Sequence, residues 1–186
     1  KGNLGYFTAF RMLYDFENKA YNTEVGKVST PFKTQYGYHI LKVNDKRLNR
    51  GEVKVSHIML EEREDATPQE IEANKMQIKE LKEAFESGTS FDEMVKFSDD
   101  KESKKKNGEL PWFSSGRMVP EFEEMAFSLK EVGEISEPVK TSYGWHFIKL
   151  IDTKPIKTFE ESKAEIQQKI KRDSRSSKGR TALIKR

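Results

Sequence analysis

The sequence has no cysteine, which excludes disulfide cross-links, thiol nucleophiles and cysteine-ligated metal sites. That absence fits an oxidising compartment, where a stray thiol is a liability. Histidine is scarce: the chain has three, His39, His57 and His146, too scattered to suggest a metal site, so neither metal nor cofactor is expected. No apolar run approaches the roughly 20 residues needed to cross a bilayer, so no direct membrane segment is expected in these residues. Charge of one sign is also lacking, with 34 basic against 31 acidic residues and a net charge of +3. A balance this even does not call for nucleic acid as a partner. Lys104-Lys105-Lys106 has no interleaved aromatic and reads as a solvated face.

What is present is a duplication. Thr34-Gln-Tyr-Gly-Tyr-His39-Ile-Leu-Lys-Val43 recurs as Thr141-Ser-Tyr-Gly-Trp-His146-Phe-Ile-Lys-Leu150. Further upstream, Gly2, Leu4, Phe7, Arg11-Met12, Phe16-Glu17, Ala20 and Val25-Gly26 recur as Gly108, Leu110, Phe113, Arg117-Met118, Phe122-Glu123, Ala126 and Val132-Gly133. One residue is inserted in the second copy before the Val-Gly turn, between Ala126 and Val132. So many non-trivial coincidences in order mark a repeated unit. Residues 1–48 form the back half of a first copy, 49–52 a linker, 53–153 a complete copy, and 154–186 a helix and basic tail. The start at Lys1, inside a motif, reads as part of a longer protein.

In the half copy, Leu4–Phe7 and Tyr38–Val43 read as strands and Asp15–Tyr21 as a short helix. With its opening strand and long helix missing, this half is expected to pack poorly by itself. In the complete copy, Val53–Leu60 is apolar on both faces, Val53, Val55 and Met59 on one and Ile58 and Leu60 on the other, as a covered central strand requires. Thr67, Pro68 and Glu70 start a helix with a capping box; Ile71, Asn74, Ile78, Leu81 and Phe85 form its inner stripe, and Gly88 ends it. Ser90 and Glu93 open a second capping box, for a helix through Phe97 that turns Phe91, Met94 and Val95 inward. Ser98–Asn107 reads as a charged loop. A helix near Pro120–Phe127 and strands at Pro138–Val139 and Trp145–Ile151 complete the unit. This order predicts an α+β domain, an antiparallel sheet with helices packed on it. Thr158 caps a last helix with Phe159, Ile166 and Ile170 as its apolar stripe, and beyond Arg172 the basic, serine-rich sequence is expected to fray.

The ordered set Ser56-His57, Phe97-Ser98-Asp99-Asp100, Gly108-Glu109-Leu110, Phe113, Met118, Phe122-Glu123, Gly133-Glu134-Ile135-Ser136, Pro138-Val139, Thr141 and Gly144-Trp145-His146 resembles the parvulin (rotamase, PpiC-type) family of peptidyl-prolyl cis-trans isomerases. The tandem arrangement resembles SurA-type periplasmic folding factors, and the single unit is similar to PrsA and PpiD relatives. The resemblance implies a four-stranded sheet with surrounding helices and a site built from His57, His146, Thr141 and an acid. Counting back from Gly108 favours Asp100 over Asp99 for the acid, although a one-residue loop difference would exchange them. It also implies a proline pocket of Leu110, Met118 and Phe122, with Phe113 and Tyr143 as further substrate-binding residues. Read as chemistry, an apolar cup beside polar groups suits a reaction in which an amide twists and no bond breaks.

The function expected from this resemblance is Xaa-Pro isomerisation in unfolded or envelope proteins, in the periplasm or cell envelope, without cofactor. The alternative is a non-catalytic chaperone module holding extended client segments, with the histidines as hydrogen-bonded core residues. The loop Glu61-Glu62-Arg63-Glu64-Asp65 is acidic where phospho-specific parvulins are basic, which implies a preference for unphosphorylated substrates.

Overall fold

Short elements fill the first fifty residues: helix α1 (Tyr14–Tyr21) and the hairpin strands β1 (Phe32–Thr34) and β2 (Gly37–His39), with Phe32 opposite His39. The strand expected over Leu4–Phe7 does not form, and that over Tyr38–Val43 shrinks to β2 and an isolated bridge between Val28 and Lys42. A strand is defined by its ladder, and residues 2–49 contain no counterpart of the long strand that supports the equivalent segment of the second copy. Among the described residues of this half, only the polar Glu17, Ser29 and Thr34 are buried. Its expected poor packing follows from the same lack.

The chain then builds β3 (Glu52–Glu61), α2 (Pro68–Glu86), α3 (Phe91–Met94) with a 3-10 turn through Phe97, α4 (Lys101–Lys104), β4 (Phe113–Ser114), α5 (Pro120–Ser128), β5 (Val139–Thr141), β6 (Gly144–Lys154) and α6 (Phe159–Arg172). The computed structural model describes residues 2–176 and divides into two units, one of residues 50–155 and the other of 2–49 with 156–176. In the first, a four-stranded sheet runs β4-β3-β6-β5 with every neighbouring pair antiparallel. The two faces of β3 are buried as the alternation predicts. Val53 and Val55 join Ile148 and Leu150 of β6 beneath Phe122, Ala126 and Leu129, while Ile58 and Leu60 join Phe147 beneath Ile78, Leu81, Phe91 and Met94.

Local chemistry sets the helix boundaries. Thr67 and Glu70 form the capping box of α2, Ser90 and Glu93 that of α3, and Thr158 and Glu161 that of α6. Ile78 and Leu81 of the α2 stripe are buried, with Ile71, Asn74 and Phe85 half-buried. The charged stretch Ser98–Asn107 is not all loop, because the Asp100 carboxylate accepts the backbone N–H groups of Glu102 and Ser103 and thereby nucleates α4. α6 departs from its expected stripe: Phe159 and Ile170 are exposed and Ile166 is half-buried, and the helix rests on its cap and on pairs such as Lys169–Glu165 at 2.7 Å. Past Arg172 the chain is held rather than frayed as far as Ser176, since Asp173 accepts the Arg175 N–H at 2.9 Å and its carbonyl accepts the Ser176 hydroxyl at 2.8 Å. The remainder of the expected tail, 177–186, lies outside the described residues.

Candidate active site

Sheet register brings the two histidines together. Met59 of β3 lies directly opposite His146 of β6, and His57 points to the same face two residues earlier, so the imidazoles are diagonal neighbours on one side of the sheet. The rings stack with centroids 5.6 Å apart and planes 12° from parallel, and Nδ1 of one is 3.4 Å from Nδ1 of the other. At the outer end of this pair, His57 Nε2 is 2.9 Å from Asp100 Oδ2 and 3.1 Å from the Ser103 hydroxyl. At the other end, His146 Nε2 is 2.8 Å from the Thr141 hydroxyl, which also accepts the Tyr143 backbone N–H at 3.1 Å.

These contacts fix the direction of every proton. Burial favours a protonated Asp100, but hydrogen bonds from Ser103 and His57 outweigh it and hold the carboxyl at about 2, so it is ionised and only accepts. His57 therefore donates from Nε2 and leaves Nδ1 bare. Nδ1 of His146 must then carry the proton shared between the rings, and its Nε2 accepts from Thr141. Burial keeps both imidazoles neutral. It lowers the pKa of His57 against the opposing pull of Asp100, and with the charge of His57 it lowers that of His146 to about 4. The result is one directed chain from the Tyr143 amide to the Asp100 carboxylate.

An apolar wall stands against this chain. The ring of Phe122 in α5 stands nearly perpendicular to both imidazoles, with centroids 5.6 Å from His57 and 5.2 Å from His146. Leu110 and Met118 are partly buried against the same cluster. Phe113 packs 6.2 Å from the Phe122 ring, and both are buried, at 3% and 4% exposed. Tyr143 contributes its backbone, and its side chain is 61% exposed. Asp99 faces elsewhere: its carboxylate accepts the Glu61 N–H at 2.9 Å, tying the loop to β3, so the acid beside His57 is Asp100. Gly108 closes the loop against β3, its carbonyl accepting the His57 N–H, and a Cβ there would fall 2.5 Å from the His57 carbonyl oxygen.

Two contributors went unread in the sequence. Ser103 sits three residues after Asp100, the spacing of a helix cap, and that spacing was the available signal. Glu123, 3% exposed, accepts the Gly116 N–H at 2.6 Å. Its recurrence as Glu17 in the first copy was visible, but the buried carboxylate was not.

Residues 46–154 match the family model of the PPIC-type PPIASE domain, and residues 1–45 match a second model of the same description. The chain belongs to this family of peptidyl-prolyl isomerase domains, the parvulin class that the motifs resemble. The foldase protein PrsA of Geobacillus kaustophilus is 36% identical over 76% of this chain and 48% of its own length. The chaperone SurA of Nitrosococcus oceani is 34% identical over 90% of this chain and 41% of its own. The crystal structure of the peptidylprolyl isomerase PrsA from Bacillus cereus superposes with a TM-score of 0.52 at 40% identity, covering 66% of this chain and 43% of that one. The chain thus spans less than half the length of these relatives.

Proposed function

We propose that residues 50–155 isomerise Xaa-Pro bonds in unfolded polypeptides of the cell envelope, with a preference for unphosphorylated sequences, and that the chain serves as a folding catalyst. The observation that carries this reading is the closed Asp100–His57–His146–Thr141 chain set against the ring of Phe122. Twisting a prolyl amide costs its resonance, a barrier of about 18–20 kcal/mol. The wall of Leu110, Met118 and Phe122 takes the pyrrolidine ring and strips water from the amide. The planar form concentrates negative charge on the carbonyl oxygen and the twisted form relieves it, so the fixed negative charge of Asp100 nearby favours the twisted form. Neutral histidines hold that carboxylate in place without cancelling it. No bond breaks and no proton has to leave the network. Among the described residues no helix is long and apolar enough to cross a membrane.

Replacing Asp100 by Asn retains the cap of α4 and removes the charge. The expected result is a fall in kcat/KM of about tenfold or more on a proline tetrapeptide, with peptide binding and the thermal melt little changed. An unchanged rate would refute the assigned role of Asp100. A holding function without turnover is the second reading, favoured by the exposed side chains of Tyr36, Tyr38 and Ile40 in residues 2–49. It predicts that the wild-type chain binds extended peptides and shows no isomerase activity.

A further inference from the structure

We infer that Glu123 and Arg50 form a positioning clasp that sets the proline pocket by fixing the loop carrying Met118. This rests on the isomerase reading above and extends it to residues outside the histidine chain.

The loop between β4 and α5 has to reverse sharply before the helix, and Gly116 does so with a φ of +81°. The helix that follows begins at Pro120 with Val119 as its N-cap, a residue whose side chain makes no cap hydrogen bond. The loop before the helix is instead held by a side chain from within the helix. Glu123 follows Phe122 directly and reaches back to take the Gly116 N–H, while its other oxygen lies 3.5 Å from the Arg50 guanidinium. Arg50 arrives from the residues preceding β3, forks onto Glu124 at 3.1 and 3.3 Å, and lies over the Phe127 ring at 4.3 Å. One buried carboxylate therefore joins the loop that bears Met118, the helix that bears Phe122, and the start of the strand that bears His57.

The first copy carries the same device. Phe10, at the position of Gly116, also has a positive φ, +66°, costly for an aromatic residue. α1 likewise lacks a side-chain cap. Glu17, at the position of Glu123, is 3% exposed and accepts the N–H groups of Arg11 and Met12 at 2.8 and 3.1 Å, one or two residues later than in the second copy. It too meets a guanidinium, that of Arg175 at 2.8 Å, which lies over the rings of Phe10 and Tyr14 at 4.2 and 4.8 Å. In the two units the arginine comes from unrelated sequence, so what recurs is the need for a cation on a buried glutamate that anchors the methionine loop. A carboxylate buried to this degree without a cation would be strongly disfavoured.

The test is a cycle of Glu123→Gln, Arg50→Ala and the double variant in the full chain, with a proline tetrapeptide as probe. KM and kcat come from the isomerisation rate and Kd from peptide titration by NMR. Glu123→Gln retains an acceptor for Gly116 but loses the charge facing Arg50, so it should behave like Arg50→Ala. Each single variant is expected to raise KM and Kd about fivefold with kcat within about twofold, and the double variant to go no further, as for two halves of one contact. Arg50→Lys, which restores a cation without the fork, should recover part of the loss. Unchanged KM and Kd alongside a kcat that falls with the folded fraction would show a role in stability alone and overturn the clasp. Additive effects would also overturn it. A wild-type chain that binds the peptide without turnover would refute the isomerase reading, and the Kd series would still decide the clasp.

Discussion

His146 is held neutral by burial, and that sets the sign of its effect on stability. Its folded pKa, about 4, lies below the ordinary value of 6.5. Between those values the unfolded chain takes up a proton that the folded chain refuses, so stability falls as pH drops through that window and the loss is complete below about 4. A displacement of this size corresponds to about 3 kcal/mol at most. Asp100, depressed from 3.8 to about 2, adds a second loss in the lower window between those values. Replacing His146 by Gln removes its share of the first window and leaves that of His57, whose pKa burial also lowers. Urea midpoints measured from pH 7 to pH 4.5 should then decline less steeply than in the wild type, and an equal decline would place the acid sensitivity elsewhere. His146 and Thr141 were legible in the sequence because the repeat and the family pattern both mark them, and His57 because the family pattern does. Ser103 was not, and Glu123, although both signals include it, showed nothing of its contacts, since the roles of both come from burial and from loop closure, which leave no periodic trace.

Elements were legible where their causes are local. α2 begins and ends where its capping box and Gly88 dictate, because all of its signals lie within a few residues of its own ends. α4 leaves no trace in the sequence pattern because it is four residues long and rests on a single cap, Asp100. The strand expected over Leu4–Phe7 failed for the opposite reason, since local pattern without a partner strand does not make a ladder. The β5–β6 turn separates local from tertiary requirements. Gly144 has a φ of +134°, and a Cβ there would fall 2.0 Å from the Leu60 carbonyl oxygen, whereas Gly37 in the first copy has a φ of +123° and nothing within 4 Å. Gly37→Ala should therefore cost only the backbone conformation, and, in a half without an apolar core, should barely move the denaturation midpoint. Gly144→Ala must also push β6 off β3 and should cost about 2 kcal/mol or more. Chemical denaturation of the two variants tests the ranking, and equal losses would mean that the β3 contact contributes nothing.

At the scale of the whole molecule, the buried apolar residues among those described all fall between Val53 and Leu150. The repeat in the sequence located the complete copy, but not how its margins close. Glu52 pairs with Lys154, and Gly51 lies so close to the Lys154 carbonyl that a Cβ would fall 2.1 Å from that oxygen. Residues 50–52, read as linker, therefore belong to the sheet unit, together with Lys154 and Pro155. A unit that holds its own core and all the proposed catalytic groups has what it needs to fold alone. A fragment of residues 50–155 is expected to melt cooperatively and to isomerise a short proline peptide within about twofold of the full chain, because no residue of 2–49 belongs to the histidine network. Residues 2–49, without a buried apolar side chain, should show no cooperative melt. The exposed Tyr36, Tyr38 and Ile40 predict a different outcome for long unfolded substrates, whose capture should weaken when 2–49 is removed while the peptide rate stays the same. Equal affinity of the fragment and the full chain for such a substrate would leave the first copy without a part in client binding, and a loss of the peptide rate would mean that the site is not contained in 50–155.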